Sequence, residues 1–515
     1  MLAPLSREPR PCYKSVEARP RRETSRAPGS ATICRRLMKD RSMRIPRPPL
    51  RRTWRPALVL PLFACLLCLP APAFAQQTQA QPAQPQVPVL PPSNDTAAGT
   101  PVNPATGGPL DRKQPFHRML ISVKNNYYPP GNSMGITSQQ LRTFTSRYTV
   151  PDCPTAWRVQ MNTLQGGKQS GTDVIHVDNG KLAIFIIPTR GMGLLSVVRD
   201  NVRVGWDSPV KNIVNPIYMN LNNRGGLGWL DGFTEMMCRC GIEWNGHPGQ
   251  DRFTDTTGAI STLDLTLHGR IANLPAQEVE FIALREPPYT LTIRGRVDEA
   301  MFHGPKLQLY SELSTEPGSN TFRIRDVIVN KAGQPQEFQM LYHSNFGPPI
   351  LEEGAKFLAP VERITPFNDH AASGLDSYDT FEKPTPGYVE QVYCLKPKAD
   401  ANGRTLAVLR DKAGKRAVSI RYATAELPYL TLWKNTEALD DGYVTGLEPG
   451  TNFPNTRRVE REHNRVPILK PGGSYAMALE YGIHFGEAEV QPVVDEVARI
   501  QGDARPTIDQ HPEKK

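Results

Sequence analysis

Apolar and polar residues alternate with a period of two along most of the chain between residues 115 and 490. DVIHVDNGKLAIFII contains two such runs joined by an Asp-Asn-Gly turn, and LLSVVRDNVRVGW repeats the arrangement around Arg-Asp-Asn. Further runs are EVEFIAL then YTLTIRGRV, LQLYSEL then FRIRDVIVN, and later AVSIRY, YLTLWK and YAMALEYGIHF. Because a period of two places successive side chains on opposite faces of a strand, each run predicts a β-strand.

Helical periodicity is scarce in the same region. EVQPVVDEVARI is the best helical stretch, although Pro492 lies near its start. Many strands without alternating helices are typical of an all-β domain, either a large antiparallel sandwich or a barrel. The pattern predicts a single such domain over residues 116–490, followed by a C-terminal helix and tail at 491–515.

The N-terminal part has a different composition. Met43 begins a basic segment, which is followed by the apolar run ALVLPLFACLLCLPA and by APAFA, a small-residue cleavage site. This order predicts a signal peptide within residues 1–75, a true start near Met43, and a periplasmic or secreted protein. The apolar run is too short for a membrane helix, so no span is expected in the mature form. The Pro- and Gln-rich residues 76–115 predict a disordered linker.

The net charge of +10 comes from the leader. Residues 1–75 contain 16 Lys or Arg against 4 Asp or Glu, whereas the rest contains 45 against 47. This distribution argues against a nucleic-acid surface, which would need a basic patch in the folded part.

Four of the eight cysteines lie beyond the leader. They could form one or two disulfides or remain buried free thiols, and their spacing does not match a zinc site. They are Cys153, Cys238, Cys240 and Cys394.

Two histidines and one glutamate are the candidates for proton chemistry. His268, in LTLHGRIANLPA, and His343, in MLYHSNFGPP, each follow an apolar run and precede turn-forming residues, which predicts strand ends. A single histidine at a strand end is usually structural. Glu448 lies in GLEPGTNFPN, where Pro449 and Gly450 predict a tight turn. Alone it would be a solvated loop carboxylate, unless it stands at the mouth of a pocket.

Three segments together resemble the galactose mutarotase-like superfamily, the aldose 1-epimerases. They are LHGRIANLPA, FRIRDVIVNKAGQPQEFQMLYHSNFG and GLEPGTNFPN, with 75 residues between the histidines and 105 from the second to the glutamate. The resemblance implies a large antiparallel β-sandwich, the supersandwich. It also implies that Glu448 is the general base and His343 the general acid, with His268 orienting the sugar beside Arg270.

A closer resemblance is to a subgroup that carries a conserved domain of unknown function. PTRGMGLLSV, GGLGWLDGFTEMMCRCGIEWNG and HSNFGPPILEEGA carry this likeness, and the middle segment departs from ordinary mutarotases. Its charged and aromatic residues could bind sugar hydroxyls and a sugar face, or form a structural ion pair in an ordinary strand-turn-strand. The substrate-binding candidates are Arg190, Trp229, Asp231, Glu235, Arg239 and Arg270, with Asn345, Trp433 and Asn455 as further contacts.

The predicted function is therefore an exported carbohydrate isomerase acting on a small free sugar by acid–base ring opening. Mutarotation needs no metal or cofactor, and no dinucleotide, phosphate or zinc motif is present. Two alternatives remain open. One is another acid–base sugar reaction on the same fold, such as ketol isomerisation, epimerisation or elimination, and the other is a non-catalytic carbohydrate-binding module. The sequence does not indicate an oligomeric state.

Overall fold

The computed structural model describes residues 114–122, 142–254 and 257–514. The predicted signal peptide and nearly all of the predicted linker lie outside these residues.

In chain order the strands are β1 Phe116–Ser122, β2 Thr143–Thr145, β3 Arg158–Thr163, β4 Asp173–Asp178, β5 Ala183–Ile187, β6 Gly193–Arg199, β7 Val202–Val204, β8 Met237–Ile242, β9 Gly249–Thr254, β10 Ile260–Leu265, β11 Glu278–Ala283, β12 Leu291–Ala300, β13 Lys306–Thr315, β14 Thr321–Asn330, β15 Gln336–Glu337, β16 Gln339–Phe346, β17 Lys356–Leu358, β18 Val361–Pro366, β19 Gln391–Pro397, β20 Arg404–Arg410, β21 Arg416–Ala423, β22 Tyr429–Asn435, β23 Val444–Gly450, β24 Ile468–Leu469, β25 Ser474–Phe485 and β26 Thr507–Ile508. The α-helices are α1 Ser146–Thr149, α2 Asn223–Gly226, α3 Asp369–Ala372, α4 Arg457–Glu462 and α5 Glu487–Gln501.

Two large sheets contain most of these strands. One has nine strands in the order β1-β11-β12-β13-β14-β25-β21-β20-β17. The other has thirteen, in the order β2-β3-β4-β5-β6-β8-β16-β23-β22-β19-β18-β26, with β7 paired to β6. Neighbours pair antiparallel, apart from the short parallel contact of β26 with β18. The prediction of a large antiparallel β-sandwich is confirmed.

The hairpins expected from the alternation pattern are present. Strands β4 and β5, β6 and β7, β11 and β12, and β13 and β14 each pair antiparallel across the predicted turns. The predicted C-terminal helix is α5, which begins at Glu487 and contains Pro492. Its apolar side chains cover part of the outer face of the nine-stranded sheet. None of the helices in the described part of the chain is long and apolar enough to cross a membrane.

The strands in the middle of the thirteen-stranded sheet are buried on both faces. Every residue of β8, β16 and β23 is buried, whereas buried and less buried positions alternate along β13 in the other sheet. One face of β8 and β16 belongs to the main core between the sheets, through residues such as Met237 and Met340. The opposite face carries a smaller cluster that includes Cys238, Cys240 and Leu341. This second buried face contains the candidate site.

A buried ion pair joins the two sheets. Arg239 of β8 places Nε 2.5 Å from Oδ2 of Asp326 in β14, and both side chains are almost fully buried. Tyr342, directly opposite Arg239 on β16, donates its hydroxyl to the same carboxylate at 2.9 Å. The guanidinium also donates to the main-chain carbonyls of Gly191 and Met192 and to Ser311 Oγ. Every charge in the cluster is therefore matched, which a buried pair requires if it is not to destabilise the fold.

Asp326→Asn is expected to lower the free energy of unfolding by about 3 kcal/mol or more, because it leaves the Arg239 charge buried without an anion. The matched control is Arg323→Gln on the same strand. It removes an exposed partner of Glu480 at 3.3 Å and should cost at most about 1 kcal/mol. Urea denaturation of both variants measures the difference. Equal, small losses in the two would contradict the role given to the buried pair.

Candidate active site

One row of side chains crosses the thirteen-stranded sheet on the face away from the main core. The register of β16 with β23 pairs residue 341 with 450 and 344 with 447, which sets His343 opposite Glu448. On one side of this pair, Cys238 of β8 lies opposite His343. On the other, Thr431 of β22 lies opposite Glu448, and Cys394 of β19 opposite Thr431. Residues distant in sequence are thus brought together by strand pairing alone.

This register corrects two expectations about the local backbone. His343 was expected at a strand end, and it lies inside β16. Pro449 and Gly450 were expected in a tight turn, and they are the last residues of β23, with the turn beginning at Thr451. Glu448 is therefore a strand residue, 2% exposed, and the reading of a solvated loop carboxylate is wrong.

His343 and Glu448 form a close acid–base pair. Nε2 of His343 lies 3.2 Å from Oε1 of Glu448, yet Oε1 accepts no hydrogen bond from the described residues. At the other side of the ring, Nδ1 lies 2.6 Å from Oδ1 of Asn345. The Asn345 amide nitrogen donates to the carbonyls of Glu235 and His343, which leaves its Oδ1 as an acceptor. Nδ1 of His343 therefore carries the proton, and in the neutral ring Nε2 is left as a proton acceptor.

Burial shifts the pKa values of His343 and Glu448 in the directions that favour their uncharged forms. Removal from water lowers the pKa of His343 to about 4, against which the Asn345 hydrogen bond acts weakly. Burial raises the pKa of Glu448 well above its ordinary value, and the charge of Glu390 adds to this shift. Both shifts favour the uncharged forms, an imidazole with a free Nε2 and a protonated carboxyl.

His268 is held beside the pair by its main chain. It lies three residues after β10 with φ of 56°, its N–H donates to Gly246, and its carbonyl accepts from the N–H of Gly241. Gly269 has φ of 72°, and a Cβ there would lie 2.1 Å from the carbonyl oxygen of Trp244, so only glycine fits. The two histidine rings are 5.3 Å apart, and burial with the nearby His343 lowers the pKa of His268.

Aromatic side chains cover the histidines. Trp229 lies in a short 3-10 helix, Gly228–Gly232, with its ring 4.9 Å from that of His268. Phe233 lies 5.1 Å from the ring of His343, and Trp433 of β22 lies 5.4 Å from the same ring. Trp433 is only half-buried, and its indole N–H donates to Glu390 at 2.7 Å. Trp229 and Phe233 thus bury the histidines, and the half-buried Trp433 has a face suited to a sugar ring.

Arg190, Glu235 and Arg239 do not present their charges to the site. Arg190 and Glu235 form a fully buried pair with Nε 2.5 Å from Oε1, and the other guanidinium nitrogens donate to Val214, Gly232 and Asn273. Arg239 is engaged between the sheets. All three therefore form structural ion pairs, in which their charges are matched within the protein.

The other predicted contacts are divided between the site and its surroundings. Arg270 pairs with Glu243 and Glu299 and stacks on Trp244, so its charge is also neutralised. Asp231 is exposed and accepts from Asn223 in the segment over Trp229. Asn345 is fully buried and positions His343 instead of facing a ligand. Asn455 lies away from the pair, beside a second pocket.

Three residues that the sequence reading missed lie beside the pair. Thr431 faces Glu448 across the strands, and Phe233 packs on His343. Gly446 lies two residues before Glu448 on the same face, where a Cβ would come within 2.3 Å of Glu448 Oε1. The alternation in YLTLWK places Thr431 on the same face as Trp433, so the strand pattern contained a signal for Thr431. No comparable signal marked Gly446 or Phe233.

Several buried polar atoms around the pair have no hydrogen-bond partner within the described ranges. They are Glu448 Oε1, Thr431 Oγ1, His268 Nδ1 and Trp229 Nε1. An unsatisfied buried polar atom costs about 1–3 kcal/mol, so this cluster is a candidate place for water or a ligand to supply the missing bonds. Sugar hydroxyls can both donate and accept, which suits this mixture of atoms. Across the described chain, no group of three or more His, Cys, Asp and Glu is placed to hold a metal ion.

The chain matches known proteins over the region that contains this site. The family model named domain of unknown function (DUF4432) matches residues 169–483. A solved structure described as a "putative aldose 1-epimerase" from Klebsiella pneumoniae subsp. pneumoniae MGH 78578 is 42% identical, covers 78% of this chain and 100% of its own, and has a TM-score of 0.70.

More distant solved structures also match. A galactose mutarotase-like protein from Clostridium acetobutylicum is 15% identical, covering 64% of this chain and 99% of its own with a TM-score of 0.43. A galactose mutarotase related enzyme from Lactobacillus acidophilus is 16% identical, covering 62% of this chain and 99% of its own with a TM-score of 0.41. No curated protein matches the chain. From the family model and the Klebsiella structure, the chain belongs to the family of this domain of unknown function and has the galactose mutarotase-like β-sandwich fold.

Proposed function

We propose that the protein is an exported aldose 1-epimerase-like isomerase, a mutarotase that interconverts the anomers of a free sugar by acid–base ring opening. The observation that carries the proposal is the 3.2 Å approach of His343 Nε2 to Glu448 Oε1, among buried polar atoms without partners. The similarity to the Klebsiella structure, a "putative aldose 1-epimerase", supports this reaction. Export, to the periplasm or outside the cell, rests on the signal-peptide pattern of residues 1–75.

In the neutral pair, Glu448 carries the proton that the reaction must donate, and His343 Nε2 is free to accept one. Ring opening removes a proton from the anomeric hydroxyl and adds one to the ring oxygen. With Glu448 protonated and His343 neutral, His343 Nε2 accepts the proton of the anomeric hydroxyl while Glu448 donates its proton to the ring oxygen. This order reverses the one that the family resemblance implied. After rotation about the C1–C2 bond, closure on the other face runs both transfers backwards and restores the pair.

The surrounding residues bind and orient the sugar. His268 Nδ1 and Thr431 Oγ1 supply polar contacts close to the pair, and Trp229 Nε1 supplies a donor. Trp433 offers a half-buried ring face for stacking. Since Arg190, Arg239 and Arg270 are all paired with carboxylates, a reacting sugar at this site is recognised through neutral hydrogen bonds.

Glu448→Gln is expected to lower the rate of anomer exchange by about 10²-fold or more, because the amide cannot exchange the proton. Exchange is measured by NMR on freshly dissolved sugars, with a panel of mono- and disaccharides. Glu362→Gln, an exposed glutamate on β18 of the same sheet, is the matched control and should leave the rate unchanged. Full activity of the Glu448 variant would disprove the mechanism. Appearance of a new compound, in place of exchange between anomers, would favour another acid–base sugar reaction.

The pH profile of kcat/KM is expected to have two limbs set by the pair. As the pH falls through about 4, His343 Nε2 gains a proton and no base remains. As the pH rises through the raised pKa of Glu448, its carboxyl group loses its proton and no acid remains. NMR exchange rates across this range measure both limbs, with circular dichroism to verify that the fold persists in acid. An acid limb near 6.5, the ordinary pKa of histidine, would contradict the buried, neutral His343.

Gly446→Ala is expected to reduce kcat about 10²-fold, because a Cβ 2.3 Å from Glu448 Oε1 displaces the carboxyl group from His343. The matched control is Gly333→Ala, where a Cβ meets no atom within 4 Å. Steady-state kinetics and thermal melting of both variants separate displacement from unfolding. A Gly446 variant with normal kcat would show that the carboxyl position is not critical.

A further inference from the structure

A second pocket lies on the same face of the thirteen-stranded sheet as the acid–base pair. It has a volume of ≈ 290 Å³, which suits one small ring. We call it the Phe453 pocket. Its lining includes Phe367, Lys396, Tyr429, Phe453, Asn455 and Arg465. Neither the proposed proton transfer nor the contacts around the histidines involve these residues.

Strand pairing fixes where the pocket lies relative to the pair. Glu448 lies opposite Thr431, and Thr431 opposite Cys394, which is part of the pocket wall. Two strand spacings separate Glu448 from Cys394, so the pocket begins about 10 Å from the reacting group. Thr431 lies between them with its hydroxyl unpartnered among the described residues. A second unit linked to a sugar at Glu448 would cross Thr431, which is 1% exposed, to reach the pocket.

The walls of the pocket are suited to a sugar ring. Tyr429 and Phe453 pack with ring centroids 4.7 Å apart, and Phe367 extends this apolar surface. Asn455 is 4% exposed and donates its amide nitrogen to Glu460 at 2.7 Å. Its Oδ1 has no partner in the described ranges, although it is buried. An aromatic surface beside a fixed, unsatisfied acceptor matches the apolar face and the hydroxyl edge of a saccharide.

The charges at the pocket leave one cation without a counter-ion. Arg363 pairs with Asp509, and Arg465 pairs with Glu460 and Glu513. Lys396 has no carboxylate within ion-pair distance in the described chain. Its Nζ lies over the Tyr429 ring at 5.3 Å and meets the carbonyl of Pro428 at 3.4 Å. An anionic group on a ligand would complete this arrangement.

We infer that the Phe453 pocket is a second sugar subsite for an acidic sugar unit linked to the sugar that reacts at Glu448. The aromatic walls hold the ring, Asn455 Oδ1 accepts from a hydroxyl, and Lys396 pairs with the carboxylate. The inference rests on the proposed function, since the reacting unit is taken to lie at Glu448. It extends that function by giving the substrate class: an acidic oligosaccharide with a reducing end.

Binding to the inactive Glu448→Gln protein tests the subsite without turnover. Calorimetry with glucose, cellobiose and 4-O-glucuronosyl-glucose compares the reacting unit alone, a neutral second unit and an acidic second unit. The acidic disaccharide is expected to bind about tenfold or more tightly than cellobiose, as a charge-assisted contact to Lys396 would give. Lys396→Met in the same background should remove this difference and leave the affinity for cellobiose within twofold. Lys412→Met, at an exposed lysine in another part of the surface, should preserve the difference in affinity between the acidic disaccharide and cellobiose.

The results separate failure of the subsite from failure of the proposed reaction. Equal affinities for cellobiose and 4-O-glucuronosyl-glucose, or a difference that survives Lys396→Met, would overturn the acidic subsite. Anomer exchange by the wild-type protein on monosaccharides is measured independently of the pocket. If exchange is absent while the Lys396-dependent preference is present, the subsite stands and the mutarotase proposal falls. Thermal melting of each variant verifies that the fold is intact.

Discussion

The register of β16 between β8 and β23 is the constraint on which both the fold and the site depend. Because side chains alternate along a strand, Tyr342 faces the second sheet, where it meets Asp326 and Arg239. The next residue, His343, faces the other way and meets Glu448. A shift of β16 by one residue would turn His343 toward Asp326 and Tyr342 away from it. The buried ion pair therefore stabilises the alignment that brings the acid and base together.

Burial of the pair is costly, and the cost is linked to the chemistry. Both groups are shifted toward their neutral forms, and Glu448 Oε1 lacks a hydrogen bond within the described structure. An exposed pair would titrate near its ordinary pKa values and would remain charged over much of the neutral range. In the buried site the uncharged forms are favoured, and the aromatic rings of Trp229 and Phe233 pack over the two histidines. Preorganisation of this kind is what acid–base catalysis requires, at the expense of local stability.

The sequence predicted the strands with one more exposed face better than the strands that are buried on both faces. Where one sheet face is more exposed, as along β13, the alternation is visible and the hairpins were placed correctly. In β8, β16 and β23 both faces are covered, so the alternation disappears and a strand reads as an apolar run with turn-forming residues. For this reason Pro449 and Gly450 were read as a turn. His268, His343 and Glu448 were identified through the family motifs, and the structure brings all three side chains into one buried cluster.

The arginines illustrate a different limit, because composition reveals a charge but not its partner. Arg190, Arg239 and Arg270 lie near the site in sequence or space, and each is matched by a carboxylate that the sequence gives no means to assign. Among the described residues, their pairing leaves no accessible cation beside Glu448, and Lys396, two strands away, has no carboxylate partner. A disaccharide bound at Glu448 and in the Phe453 pocket would meet no cation at the reacting unit and a positive charge, Lys396, at the second unit. Charge recognition would then lie apart from proton transfer, so Lys396 would select an anionic substrate without a cation beside His343 and Glu448.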